Sequence, residues 1–319
     1  SGRPLIQNGT SRRPSGLIST RKNIAMRWSR LPSVTGDLER YLRGNFWNPM
    51  RRRLITALAL TTIGMPAVLL GGIFYFLLMA TFLIGAAWEY VQLFRAVKME
   101  PQIHLTIGGV AFILLTRMFF PEYAMPVYAA AILIALAYHL IAYERGRDRA
   151  ALDFAVTIAG LTYLGWIGGY LFELRNLPEG GWWFMLVLPS VWLADSGAYS
   201  IGRAYGRHKM APRLSPRKSW EGYAASIFTG MIGGAFLVYA YSTFGNFSGN
   251  ITILQGALLG LILGILTPLG DLGESMIKRQ SGLKDSSDII PGHGGFFDRV
   301  DSWLWGAVIG YYFLVWFIL

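Results

Sequence analysis

From residue 54 onward the chain runs in long apolar blocks broken by short charged or turn-rich stretches. Several blocks reach the roughly 17–25 residues that an α-helix needs to cross a hydrocarbon core. Lipid offers no partner to backbone N–H and C=O groups, so each block must satisfy its own, as a helix does. Only 15% of residues are charged against 53% hydrophobic, too few to cover the surface of a water-soluble fold of this length. The expected class is an all-α polytopic membrane protein.

Nine spans are predicted, near 54–71, 73–94, 103–120, 125–143, 151–173, 182–200, 223–242, 251–271 and 302–319. Gly71-Gly72 is the only break between the first two. The net charge of +11 reads as topogenic Lys and Arg rather than as a nucleic-acid surface, because excess basic residues collect in cytoplasmic loops. With a cytoplasmic N-terminus, only Arg117 and Arg175 of the 29 Lys and Arg fall on the outer side or in an outer half-span. The reverse orientation would put nearly all of them outside.

Residues 1–53 are basic and rich in Ser and Arg, with no acid before Asp37. No apolar core of signal-peptide type precedes the first span. The expectation is a mobile cytoplasmic tail against anionic lipid, followed by a membrane-embedded domain over 54–319. The absence of cysteine excludes disulfides and Cys-based zinc sites. Gly256, Gly260 and Gly264 recur every four residues, a spacing that lets two helices approach closely.

Three polar clusters fall on the cytoplasmic side of this map. The first starts at Asp195, a carboxylate inside an apolar run, where it is costly unless paired, hydrated or bound to a metal. It continues through Arg203, Lys209, Ser215, Lys218 and Glu221. The six Lys and Arg from 203 to 218 suit a triphosphate, or equally a plain topogenic loop. The second closes the eighth span, where Asp271, Glu274, Ser275 and Lys278 share one helical face, with Arg279 beside them. That pattern serves a cation and a phosphate, and also describes a simple salt-bridged helix end.

The third cluster holds Lys284, Asp285, the loop Pro291-Gly292-His293-Gly294-Gly295, and then Asp298, Arg299 and Asp301. Glycines let backbone amides approach an anion. Asp298 and Asp301 repel each other unless a cation neutralises them. Mg²⁺ fits best, since it takes oxygen ligands and is shared with substrate phosphates. His293 is either a ligand-binding group or a structural hydrogen bonder.

Ser275-x-x-Lys278-Arg279, Lys284-Asp285 and Pro291-x-His293-Gly294-Gly295-x-x-Asp298-Arg299-x-Asp301 together resemble the full signature of CDP-diacylglycerol synthases. The Asp195–Gly222 stretch is also similar, with Ser196 and Ser219 where that family usually has Thr; both keep a hydroxyl. Arg51–Leu60 resembles the start of bacterial members. The resemblance covers roughly residues 50 to 319 and implies a multi-span, often dimeric, Mg²⁺-dependent enzyme. Such an enzyme converts CTP and phosphatidic acid to CDP-diacylglycerol and pyrophosphate. It further implies Asp271 and Asp298 as the metal ligands, with a second, monovalent cation such as K⁺ beside them.

Under that resemblance Asp271, Asp298, Lys278 and Asp301 are the candidate catalytic residues. Asp195, Arg203, Lys209, Ser215, Lys218, Glu221, Ser275, Arg279, Lys284, Asp285, His293, Gly294, Gly295 and Arg299 are candidate substrate contacts. The expected setting is the bacterial inner membrane, with the site at its cytoplasmic face. Two rival readings are a CTP-dependent enzyme acting on an isoprenoid lipid and a transporter of a phosphorylated solute. The transporter would call for ionisable residues near the bilayer midplane, whereas these gather at one face.

Overall fold

The structure, a computed structural model, describes residues 55, 58, 61–245, 247, 249–283, 285–287, 289–290 and 294–319. The predicted tail over 1–53 and most of the first predicted span before residue 61 lie outside the described residues. In chain order the helices are α1 (Thr61–Leu70), α2 (Gly72–Arg95), α3 (Ile103–Phe119), α4 (Pro121–Glu144) and α5 (Ala150–Gly160). A π-helical segment, Leu161–Ile167, leads into α6 (Tyr170–Asn176) and α7 (Gly180–Tyr205). A hairpin of β1 (Lys209–Ala211) and β2 (Ser215–Ser219) follows. Then come α8 (Trp220–Phe244), α9 (Ile253–Leu266), α10 (Pro268–Gln280) and α11 (Phe297–Phe317).

Among the described residues, seven helical stretches are long and apolar enough to cross a membrane: α2, α4, α5 through α6, α7, α8, α9 through α10, and α11. The other two predicted spans correspond to the shorter apolar helices α1 and α3. With 17 residues, α3 rises only about 25 Å, less than the ~30 Å of a hydrocarbon core. The hairpin is the departure from an all-helical chain. Its strands pair antiparallel, Lys209 with Ser219 and Ala211 with Ser215.

Local chemistry sets the element ends. Gly71 and Gly72 both take positive φ, 68° and 53°, so the break between the first two apolar runs is real and uses the residue that tolerates it. Thr252 and Gln255 form a reciprocal capping box at the start of α9. Pro268 has no N–H to continue α9 and instead opens α10. The last helix begins at Phe297, five residues before the span read from hydropathy, so Asp298 and Asp301 lie in its first turns.

The apolar core is filled by Tyr75, Phe172, Trp183 and Phe297, drawn from α2, α6, α7 and α11. Helices α8 and α9 meet through small residues. A Cβ on Gly230 would lie 2.5 Å from the Gly260 carbonyl oxygen, and one on Gly264 would lie 2.6 Å from that of Ser226. This is the close approach that the four-residue glycine spacing predicts. Two side-chain hydroxyls lock the same seam: Ser226 donates to the Gly264 carbonyl at 3.1 Å and Tyr223 to that of Ile265 at 3.0 Å.

The buried Arg117 lies between the rings of Trp166 and Tyr170, 4.4 Å from each centroid. It donates to the Trp166 carbonyl at 2.6 Å and pairs with Glu173. Arg175 donates to the Val68 and Leu69 carbonyls at the end of α1. The two basic residues that the charge map leaves on the outer side thus have structural partners.

Candidate active site

Helix α10 begins where Pro268 interrupts the eighth apolar stretch, so its polar face is carried straight off the end of a membrane helix. Asp271, Glu274, Ser275 and Lys278 project from that face; Glu274, Ser275 and Lys278 are buried. The Lys278 ammonium sits between two carboxylates, 2.5 Å from Asp298 Oδ1 and 2.9 Å from Glu274 Oε1. The Glu274 contact is an ion pair without hydrogen-bond geometry, which leaves that buried oxygen without a donor. Carboxylate oxygens of Asp271, Glu274 and Asp301 lie within 4.8 Å of one another.

Asp298 is held on its other side by the loop before α11. Its Oδ2 accepts from the Ser286 amide at 3.1 Å, the Ser286 hydroxyl at 2.8 Å and the Gly295 amide at 2.8 Å. Gly294 takes a φ of 78°, and a Cβ there would lie 2.7 Å from Asp298 Oδ2. The two glycines of the signature thereby let the backbone turn against the carboxylate. Among the described residues, Asp298 stands with Lys278, while Asp271 groups with Glu274 and Asp301.

The hairpin delivers a second amine. Lys218, on β2, places its Nζ 2.7 Å from Asp271 Oδ2 and donates to the Pro268 carbonyl at 3.3 Å. Asp195, on α7, lies within electrostatic range of both Asp271 and Lys218. Clusters well apart in sequence, at Asp195, Lys218 and Asp271, therefore converge on one spot. Glu221 binds back on the hairpin, accepting from His208 Nδ1 at 2.6 Å and from the His208 amide. Arg279 donates to the Leu214 carbonyl at 3.2 Å, which pins the hairpin tip to α10. Ser215 opens β2.

Arg203 and Lys209 are exposed, Arg203 donating to the Tyr199 hydroxyl at 3.0 Å. Arg299 interacts electrostatically with Asp301, and its buried Nε has no hydrogen-bond partner. Asp285 is exposed in the loop. Lys284, His293, Pro291 and Gly292 lie outside the described residues.

One functional candidate escapes a reading of the polar clusters. Glu89, near the end of α2, is fully buried. Its carboxylate accepts from Ser286 Oγ at 2.9 Å, Ser287 Oγ at 2.5 Å, the Phe296 amide at 3.0 Å and the Phe297 amide at 2.8 Å. The available signal was a lone acid in an apolar span, between Trp88 and Tyr90, which is expensive unless it has a purpose.

The arrangement offers buried carboxylates for a hard cation, amines for phosphate oxygens and glycine-borne amides in one place. Residues 51–317 match the model of the cytidylyltransferase family. A phosphatidate cytidylyltransferase of Synechocystis sp. is 30% identical over 298 residues, covering 83% of this chain and 96% of the relative. One from Pseudomonas aeruginosa is 33% identical over 282 residues, covering 84% and 97%. Another from Staphylococcus aureus is 32% identical over 262 residues, covering 80% and 95%.

Proposed function

Because the chain belongs to the cytidylyltransferase family, we propose that it transfers the cytidylyl group of CTP to phosphatidic acid, giving CDP-diacylglycerol and pyrophosphate. The observation that carries this reading is the convergence of Lys218 and Lys278 on a shared set of carboxylates. Two phosphate-binding amines beside oxygen donors for a cation are what a reaction between polyanions requires.

A phosphate monoester is already nucleophilic at neutral pH, so no activated Ser or Cys is needed. Its oxygen attacks the α-phosphorus of CTP in line; the new P–O bond forms as the α–β bridge breaks and pyrophosphate departs. The barrier is electrostatic and positional. Lys278 and Lys218 leave their carboxylates for the incoming phosphates, and Arg279 and Arg299 add positive charge. The signature loop holds Asp298 in register, and Asp298 keeps Lys278 in place until the phosphates arrive.

The donor set fits Mg²⁺: it is all oxygen, and Glu274 Oε1 is buried without a donor. Asp271 and Asp298 are its proposed ligands, with Glu274 and Asp301 the further carboxylates at hand. When bound, Mg²⁺ neutralises charge on the phosphates and the leaving group. Glu274, Asp301 and Asp195 would be the residues to hold a second, monovalent cation such as K⁺, which would add positive charge beside the phosphates.

The seven long helices and bacterial relatives support a multi-pass protein of the bacterial inner membrane. Counting α1 and α3 as crossings gives nine, with a cytoplasmic N-terminus and a cytoplasmic site within reach of CTP; the bias of basic residues supports that orientation. A homodimer is the proposed assembly.

Pyrophosphate release by the purified protein in detergent, with CTP, phosphatidic acid and Mg²⁺ each omitted in turn, tests the reading. The expected result is release that needs all three and leaves a CDP-lipid. Release of CDP with a phosphorylated lipid, or turnover only with isoprenoid lipid phosphates, would overturn it.

A further inference from the structure

Glu89 is the one buried acid of α2, and among the described residues its four hydrogen bonds go to a single distant stretch of chain. Two of the donors, the Phe296 and Phe297 amides, are unpaired groups at the start of α11. That helix has no side-chain cap from its own flanking residue. A carboxylate brought in from another helix therefore caps it and opposes the positive end of its dipole. The other two donors are the Ser286 and Ser287 hydroxyls, at the far side of the same loop.

Ser286 carries the connection onward. Its Oγ lies 2.9 Å from Glu89 Oε2 and 2.8 Å from Asp298 Oδ2, so its single proton is shared between the two carboxylates, and Asp298 Oδ1 holds Lys278 at 2.5 Å. A continuous line runs from Glu89 through Ser286 and Asp298 to Lys278. Packing leaves little slack: a Cβ on Gly295 would collide with both the Glu89 carboxylate and Ser286 Oγ. A local cap alone would not need an acid from α2 or a hydroxyl shared with Asp298.

We infer that Glu89 is a positioning residue of the reaction: from α2 it holds Ser286 and Gly295–Phe297 so that Asp298 and Lys278 meet the substrates in fixed register. This rests on the proposed roles of Asp298 and Lys278 in cytidylyl transfer. Glu89 itself touches neither of them and acts through Ser286 and the loop amides.

The test is Glu89→Gln in the full chain in detergent. The amide keeps the shape but turns one acceptor into a donor facing donors. Turnover per CTP-binding site, with sites counted by equilibrium binding, should fall about 30–100-fold, as for lost support behind a catalytic ligand. The KM for CTP should stay within about threefold, since Glu89 makes no contact in the hairpin that carries Lys218. Amide exchange at 295–299 should accelerate about tenfold or more, with α8 and α9 unchanged. Val110→Ala, a buried packing change in α3, should lower thermal stability without altering turnover per site or exchange at 295–299.

Turnover within about threefold of the parent, or a loss without faster exchange at 295–299, would overturn the assignment. An equal turnover loss in Val110→Ala would do the same. If Glu89→Gln does not fold, Ser286→Ala removes the hydroxyl that lies between Glu89 and Asp298, leaves the Ser287, Phe296 and Phe297 donors to Glu89 in place, and should lose about tenfold in turnover; parent-like turnover there counts against the inference. A parent protein that binds CTP but does not act on phosphatidic acid would instead strike the functional reading. Exchange at 295–299 would still report whether Glu89 holds the loop.

Discussion

Replacing Lys278 by Met keeps the apolar stem and removes the charge between Glu274 and Asp298. At distances of 2.9 and 2.5 Å and an effective dielectric of about 20, the gross attractions are roughly 6 and 7 kcal/mol. Desolvating the buried groups takes back most of that, and removing one partner of a buried pair typically costs about 3–5 kcal/mol. The cost belongs at that end here, because Asp271, Glu274, Asp298 and Asp301 are left together with one fewer cation. For a domain of this size each kcal/mol corresponds to about 2–4 °C, so the melting temperature in detergent should fall by roughly 6–20 °C. Mg²⁺ should narrow the deficit, since an ion bound by those carboxylates replaces part of the lost charge. Activity should fall by about 100-fold or more, as for loss of a phosphate clamp. Thermal melts of parent, Lys278→Met and Lys278→Arg, with Mg²⁺ and with chelator, make the assay. A Lys278→Met protein within about 2 °C of the parent in chelator, or one whose melting ignores Mg²⁺, would refute the view that this amine balances a cation-binding carboxylate set.

Lys218→Ala should raise the KM for CTP about tenfold, the value of one charge-assisted hydrogen bond, with little change in melting because Lys218 is partly exposed; steady-state kinetics checks this. Gly260→Val drives a branched side chain into the Gly230 backbone and should cost at least about 1–3 kcal/mol as overpacking, read as a lower melting temperature or loss of monodisperse protein. Arg117→Leu leaves Glu173 and the Trp166 carbonyl without their donor and should cost about 3 kcal/mol or more. Remote from the carboxylate set, it should leave the KM for CTP unchanged.

Much of this protein is legible in one dimension because lipid imposes few choices. Apolar blocks of membrane length must be helices, and Gly71-Gly72 and Pro268 mark ends since glycine accepts positive φ and proline lacks an N–H. The face of α10 carrying Asp271, Glu274 and Lys278 follows from helical spacing alone, and the glycine stripe of α9 announces close packing. The full cytidylyltransferase signature added the chemistry. Partnership is another matter, because it is settled by distance in three dimensions. That Asp298 is held by Lys278 and Ser286, that Asp271 faces Lys218 and groups with Glu274 and Asp301, and that the hairpin folds onto α10 through Arg279 all depend on how the helices pack. Glu89 shows the limit most clearly: its partners lie some 200 residues away, on a loop whose unpaired amides and hydroxyls exist only once α2 and α11 are side by side. A sequence can flag a costly buried acid, but only the tertiary structure supplies the donors that make it affordable.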